Sequence, residues 1–326
     1  MRLPPHDHWL VRLLHQGVHL ATRPLSRFYE GRVPEERVVE PSPFEVPVPF
    51  GGVRTHAWGR ADGVAGLRQR GGKPRTVLVH GLNANARYWV GVASVLGASR
   101  RVLALDQRRH GGTGALDGGL SLPDLRADLR TWLDTLQLKQ VDRVGHSWGG
   151  KVCLDFAAAH PERVRRLVLV DPVPPQGLHP VMQRGSLLAR AMFSPERGPF
   201  ASEAEFTAAA SRICWLRDAD PWMWRAFEAN FQTDDRGGLR HALDDEGFAH
   251  IFERVLQRPS PLDLDPVRMP VLLARATFSA MPFPDQVRYL QQRLPDLHLA
   301  HVYGEHSLHA VNPIGLANTI EQFLDS

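Results

Sequence analysis

The stretch "RVGHSWGGKV", Arg143 to Val152, admits two readings. Gly145-x-Ser147-x-Gly149 has the G-x-S-x-G spacing that sets a nucleophilic serine on a sharp strand-to-helix turn. Gly145, four residues and then Gly150-Lys151 is also most of a phosphate-binding loop. A phosphate loop needs Ser or Thr after the lysine to ligate Mg²⁺, and Val152 stands there. The nucleophile reading is the one that the rest of the chain supports.

Outward from this turn, short apolar runs alternate with helical patterns. Upstream, the proline-rich "VVEPSPFEVPVPF" leads into "GGVRTHAWG", which reads as a hairpin of edge strands, where proline is tolerated. A Gly- and Arg-rich loop follows over 61–75. Strands are expected at "TVLVHG" (76–81), "RVLALD" (101–106), "VDRVGHS" (141–147), "RLVLVD" (166–171), "PVLLAR" (270–275) and "LHLAHVYG" (297–304). Helices are expected near 86–97, 121–138, 148–160, 284–294 and 313–324. Such alternation implies an α/β fold, a doubly wound and mostly parallel sheet covered on both faces. Between 173 and 267 the strands stop and every segment reads as helical. The expected organisation is an N-terminal extension (1–44), a core (45–172 and 268–326), and a helical cap (173–267) inserted between the sixth and seventh strands.

Composition narrows the classes. The 326 residues carry a formal net charge of only +4, with the basic residues scattered, so nucleic acid is not an expected partner. The two cysteines, Cys153 and Cys214, lie far apart without metal-type spacing and suit a reducing, cytoplasmic compartment. No apolar run is long enough to span a bilayer, and the N-terminus makes a poor signal peptide. In "HWLVRLLHQGVHLATRP", Leu10, Leu13, Leu14, Val18 and Ala21 share one helical face, opposite Arg12, His15, His19 and Arg23. Such a helix either packs on its own domain, the commoner case, or makes weak contact with a membrane surface.

A serine hydroxyl is a poor nucleophile alone and needs a base and an oxyanion site. "VLVHGLNANARYW" puts His80-Gly81-Leu82 at a strand end, where a backbone N–H can face the nucleophile. "YGEHSLHAVNP" puts His306, beside His309, after the last strand. With "ALDQRRHGGTG", "GHSWGG" and "LVLVDP" in the same order, the chain resembles the α/β-hydrolase superfamily of serine hydrolases, in an esterase-like form with a helical cap. The resemblance covers nearly all of 45–326. It implies Ser147 as nucleophile, His306 as base, and the backbone N–H groups of Leu82 and Trp148 as oxyanion hole, with no cofactor and no metal. His306/His309 and "HDH" at 6–8 are weak metal signals that lack a third ligand.

The sequence departs from the family pattern in two places. Arg109 stands where the family usually has Gly, and Thr113 where it often has Ser, in a loop expected to line the entrance. Ser279 stands where the family usually has its acid after the seventh strand. A serine cannot stabilise an imidazolium as a carboxylate does. Two carboxylates compete for that role. Asp171 ends the sixth strand, a position that some similar hydrolases use; Asp285, after Pro284, has the character of a helix cap. Asp171 is the expected acid. Asp106 is expected to cap a turn or pair with Arg108, and His80 and His146 to make structural hydrogen bonds. In the insertion, Trp215, Trp222, Trp224 and Phe227 either form the core of the cap or line an apolar substrate pocket. The expected activity is cleavage of a small-molecule carboxylic ester with an apolar or aromatic group. Lactone opening, C–C bond hydrolysis and a cofactor-free lyase are alternatives on the same residues. A ligand-binding receptor on a hydrolase fold is the alternative from another class.

Overall fold

The computed structural model describes residues 31–49, 51–59, 74–114, 119–176, 198–211, 216, 219–256, 262–279 and 281–326. In chain order the elements are β1 (Ser42–Val48), β2 (Gly51–Trp58), β3 (Thr76–Val79), α1 (Val90–Leu96), β4 (Val102–Leu105) and α2 (Leu122–Thr135). Then come β5 (Val141–His146), α3 (Trp148–Ala159), β6 (Val164–Val170), α4 (Glu203–Ala210), α5 (Pro221–Glu228), β7 (Phe231–Thr233) and β8 (Leu239–His241). The chain ends with α6 (Asp245–His250), β9 (Val271–Ala276), α7 (Pro284–Arg293), β10 (Leu297–Val302), α8 (Leu308–Val311) and α9 (Pro313–Asp325).

Eight strands form one sheet in the order β1-β2-β4-β3-β5-β6-β9-β10. β2 runs antiparallel to β1 and β4, and the other pairs are parallel. The central runs are short and mostly apolar because both faces are covered: every residue of β3, β4 and β5 is buried. Alternate residues along each strand feed opposite cores. Leu78, Ala104, Val144, Val168 and Leu272 pack with α1 and α9. Val77, Leu103, Val141, Leu167 and Leu273 pack with α2, α3 and α7. Helix α2 starts where its local chemistry dictates. The Ser121 hydroxyl accepts from the Asp124 N–H and the Asp124 carboxylate from the Ser121 N–H, with Pro123 inside the first turn.

The segment between β6 and β9 differs from the all-helical expectation. It contains α4, α5 and α6, but also a β7–β8 hairpin, and Phe200 bridges to Leu239. The hairpin turns at "DDRGG": Gly237 takes φ 78°, and Asp234 Oδ1 accepts from the N–H groups of Arg236 (2.9 Å) and Gly238 (2.8 Å). The helical patterns expected at 10–23 and 179–193 lie outside the described residues. Among the described residues, no helix is long and apolar enough to cross a membrane.

Candidate active site

β5 delivers Ser147 into a turn that few residues tolerate. Ser147 has φ 54° and ψ −119°, a conformation that costs about 1–3 kcal/mol and persists only where its surroundings enforce it. The enforcement is visible. Ser147 N–H donates to Val170 O (3.0 Å), and its carbonyl accepts from Val173 N (3.1 Å) and Gly150 N (3.0 Å). The motif glycines allow this closeness. A Cβ at Gly145 would stand 2.5 Å from Gly149 O, and one at Gly149 would run into the carbonyls of Val79 and His80. The turn is not a phosphate cradle. Lys151 is 1 % exposed, and burial lowers its amine to about 7 against the opposing pull of Asp155.

Three side chains from three strand ends meet in one line. His306, in the loop after β10, holds Nε2 3.0 Å from Ser147 Oγ and Nδ1 2.6 Å from Asp171 Oδ2. Asp171 is fully buried, just past β6, and itself takes φ 42°. Its other oxygen accepts from Ala276 N at the end of β9 (3.1 Å), so the carboxylate cannot rotate. Such a line passes a proton from the hydroxyl to the imidazole while the carboxylate holds the ring.

The turn after β3 closes on the serine from the other side. A Cβ at Gly81 would lie 3.3 Å from Ser147 Cβ and 3.0 Å from His146 Nδ1, so Gly81 brings its backbone against Ser147. Neither the Leu82 nor the Trp148 N–H donates to another group among the described residues. His80 packs beneath this turn. Its Nε2 accepts from Gln107 N (3.0 Å), which leaves Nδ1 to donate to Gly81 O (2.8 Å); burial lowers its pKa.

His146 was expected to make a structural hydrogen bond and His309 to stand beside His306; in the structure the three rings cluster. Centroids lie 4.8 Å apart for His146–His306 and 4.5 Å for His146–His309. His146 Nε2 donates to the His306 carbonyl (2.8 Å), tying the loop after β10 to the turn at Ser147. Burial first, then the neighbouring histidines, push His146 well below its ordinary value and His309 down to about 3. Both rings are therefore neutral at physiological pH. The signal for His146 was its place beside Ser147; nothing in the sequence placed His309 against it.

A family model described as the alpha/beta hydrolase fold matches residues 74–313. The chain belongs to this family. A Mycobacterium phage D29 protein provisionally named a non-heme haloperoxidase is 37% identical over 105 residues, 32% of this chain and 37% of the relative. The chain thus spans about a third of the length of that relative and of three mycobacterial proteins that match similarly. A Pseudomonas savastanoi protein provisionally named carbamate hydrolase RutD is 24% identical over 263 residues, 79% of this chain and 96% of the relative. Among solved structures, E-2-(acetamidomethylene)succinate hydrolase matches with a TM-score of 0.72 at 21% identity, covering 88% of this chain and 100% of that one. The enol-lactonase from Burkholderia xenovorans LB400 matches with a TM-score of 0.63 at 21% identity, covering 87% and 100%.

The departures from the α/β-hydrolase pattern have physical readings. Arg109 takes φ 60°, the left-handed region that glycine enters freely, and its guanidinium reaches Asp244 at 3.6 Å. Thr113 is buried rather than on a rim, and its hydroxyl accepts from Arg54 N (2.9 Å). Asp106 caps two turns through the N–H groups of Ala86 and Gly112 (2.7 Å each), while Arg108 pairs with Asp128 instead. Ser279 spends its hydroxyl on its own turn, accepting from Met281 N at 3.1 Å. Asp285 is exposed in the first turn of α7, where Gln286 Oε1 accepts from Phe283 N (3.1 Å).

The aromatic residues expected to line a pocket are divided. Trp222 and Phe227 are 1% and 2% exposed and do core work. Trp222 packs on Gly91 of α1, and Phe227 stacks on Phe206 at 5.8 Å and 16°. Trp224 is partly buried against the same cluster. Trp215 lies outside the described residues.

Proposed function

We propose that the protein is a serine hydrolase that cleaves a small carboxylic ester through an acyl-enzyme. The observation that carries this reading is the line Ser147 Oγ–His306 Nε2 (3.0 Å) and His306 Nδ1–Asp171 Oδ2 (2.6 Å), set on strained backbone at Ser147. His306 takes the hydroxyl proton as Ser147 Oγ attacks the carbonyl carbon. The developing oxyanion is held by the Leu82 and Trp148 N–H groups. His306 then returns the proton to the leaving alcohol as the C–O bond breaks, and water activated by the same ring releases the acid. Asp171 fixes the tautomer and stabilises the imidazolium. No step needs a cofactor. Both nitrogens of His306 are engaged in this line, which removes it as a metal ligand.

The ester is read as one with an apolar or aromatic group, a preference that the chain-length series below tests. The test is a fluorophosphonate probe, followed by p-nitrophenyl esters from acetate to hexanoate. Wild-type protein should label stoichiometrically and Ser147→Ala not at all, with kcat lowered by about 10³ or more in a protein that still folds. Substantial turnover by purified Ser147→Ala overturns the serine reading. A profile that falls with chain length overturns the apolar preference.

A further inference from the structure

The loop that follows the proposed oxyanion donor is held by the segment between β6 and β9, through one buried amide. Asn83, the residue after Leu82, takes φ 58°, a left-handed backbone that needs outside support. Its carbonyl accepts from Asn230 Nδ2 at 3.1 Å. Asn230 sits between α5 and β7 and is fully buried. Its second Nδ2 proton goes to Tyr88 Oη (3.1 Å), and its Oδ1 accepts from Asn85 Nδ2 (2.8 Å). Asn85 gives its other proton to Ala226 O (2.8 Å) and accepts from Arg87 N (2.9 Å). Asn230 is itself anchored by its backbone: its N–H donates to Phe227 O (3.0 Å) and its carbonyl accepts from Ala242 N (2.7 Å). Every amide proton and oxygen in this pair has a partner, so neither side chain can flip without setting N–H against N–H.

We infer that Asn230 is a positioning residue for the oxyanion hole, so that the insertion takes part in aiming the Leu82 N–H rather than only covering the serine. This rests on the serine-hydrolase reading above. A buried, fully satisfied network admits one geometry, and oxyanion donors act only when aimed at the developing charge before reaction begins. The Asn230 amide fixes the carbonyl one residue past that donor. The same bonds tie α5 to the loop, so α5 does not swing away during turnover.

Asn230→Asp tests the inference, because it keeps the shape and the acceptor for Asn85 but removes both donors. Asn230→Ala is the second variant, and Phe206→Ala is the control, since Phe206 packs in the insertion against Phe200, Phe227 and Phe231 and makes none of the Asn83–Asn85–Asn230 hydrogen bonds. Turnover is expressed per serine labelled at the end point by fluorophosphonate, so unfolded protein does not count. Asn230→Asp and Asn230→Ala should lower kcat about ten- to hundred-fold, less than the loss of a whole oxyanion donor, with KM within about threefold. The acid limb of the kcat/KM profile, which reports the base, should not move. Phe206→Ala at a matched loss of melting temperature should keep its kcat. Wild-type kcat in Asn230→Asp overturns the inference, as does an equal loss in Phe206→Ala or a change confined to KM. Wild-type protein that fails to label overturns the serine reading instead.

Discussion

At the end of β6 the chain turns through Asp171 in left-handed backbone and sends a buried carboxylate to His306. At the end of β9, its parallel neighbour in register from Leu167–Val271 to Val170–Ala274, the chain closes on itself. There Thr277 donates to Val302 O through both its N–H (3.0 Å) and its hydroxyl (3.1 Å), and Ser279 serves Met281. The two strand ends lie side by side in the sheet. What distinguishes them is which holds a carboxylate and which supplies its support: the β9 end contributes Ala276 N–H to the acid that β6 carries. On the proposed triad, what His306 requires is an oriented carboxylate, and here the β6 end carries it while the β9 end orients it.

The most direct way to break this comparison is Asp171→Asn. The amide keeps the volume, but it no longer balances an imidazolium and can hold the ring in the wrong tautomer. A loss in kcat of about 10²–10⁴ is expected with KM little changed. Steady-state kinetics on a p-nitrophenyl ester decide it: kcat within tenfold of wild type would mean that β6 is not the platform.

The reverse exchange sharpens the comparison. In Asp171→Asn, adding Ser279→Asp places a carboxylate on the β9 platform. A recovery of roughly tenfold over Asp171→Asn alone is expected, well short of wild type, because no N–H is yet arranged to orient the new acid. Kinetics of the single and double variants side by side give the answer. No recovery at all would show that the two ends differ in geometry and not only in residue type.

How much of this was legible follows the same physical line. The strands at 76–81, 101–106 and 166–171 could be read because a sheet covered on both faces demands continuous apolar runs. The glycines around Ser147 could be read because the turn admits no Cβ. Asp171 could be singled out because a neighbouring parallel strand can present a carboxylate to the same histidine, and because Ser279 lacks a charge. The β7–β8 hairpin was missed although "TDDRGG" carried its turn, because three-residue strands offer too few positions for a period of two. Arg143 shows a different limit. A guanidinium in mid-strand reads as exposed, yet it is fully buried over the Phe156 ring at 4.0 Å, a contact that the chain order does not announce. The Asn83–Asn85–Asn230 network was invisible for the same reason: its partners lie more than 140 residues apart.

The smallest expected effect belongs to the rival carboxylate. Asp285 is exposed in the first turn of α7, past the capping bond that Gln286 makes to Phe283, while His306 Nδ1 is already engaged by Asp171. Its charge faces the positive end of the helix dipole, worth about 0.3–1 kcal/mol at low salt. Asp285→Asn should therefore leave kcat unchanged and lower the melting temperature by about 1–3 °C. That thermal loss should shrink in 1 M salt, where the screening length falls to about 3 Å. Thermal melts at two salt concentrations, read beside kcat, separate the alternatives. A tenfold fall in kcat at an unchanged melting temperature would move the acid to α7 and undo the pairing of β6 with β9. A thermal loss indifferent to salt would leave β6 in place and assign Asp285 to packing rather than to the dipole.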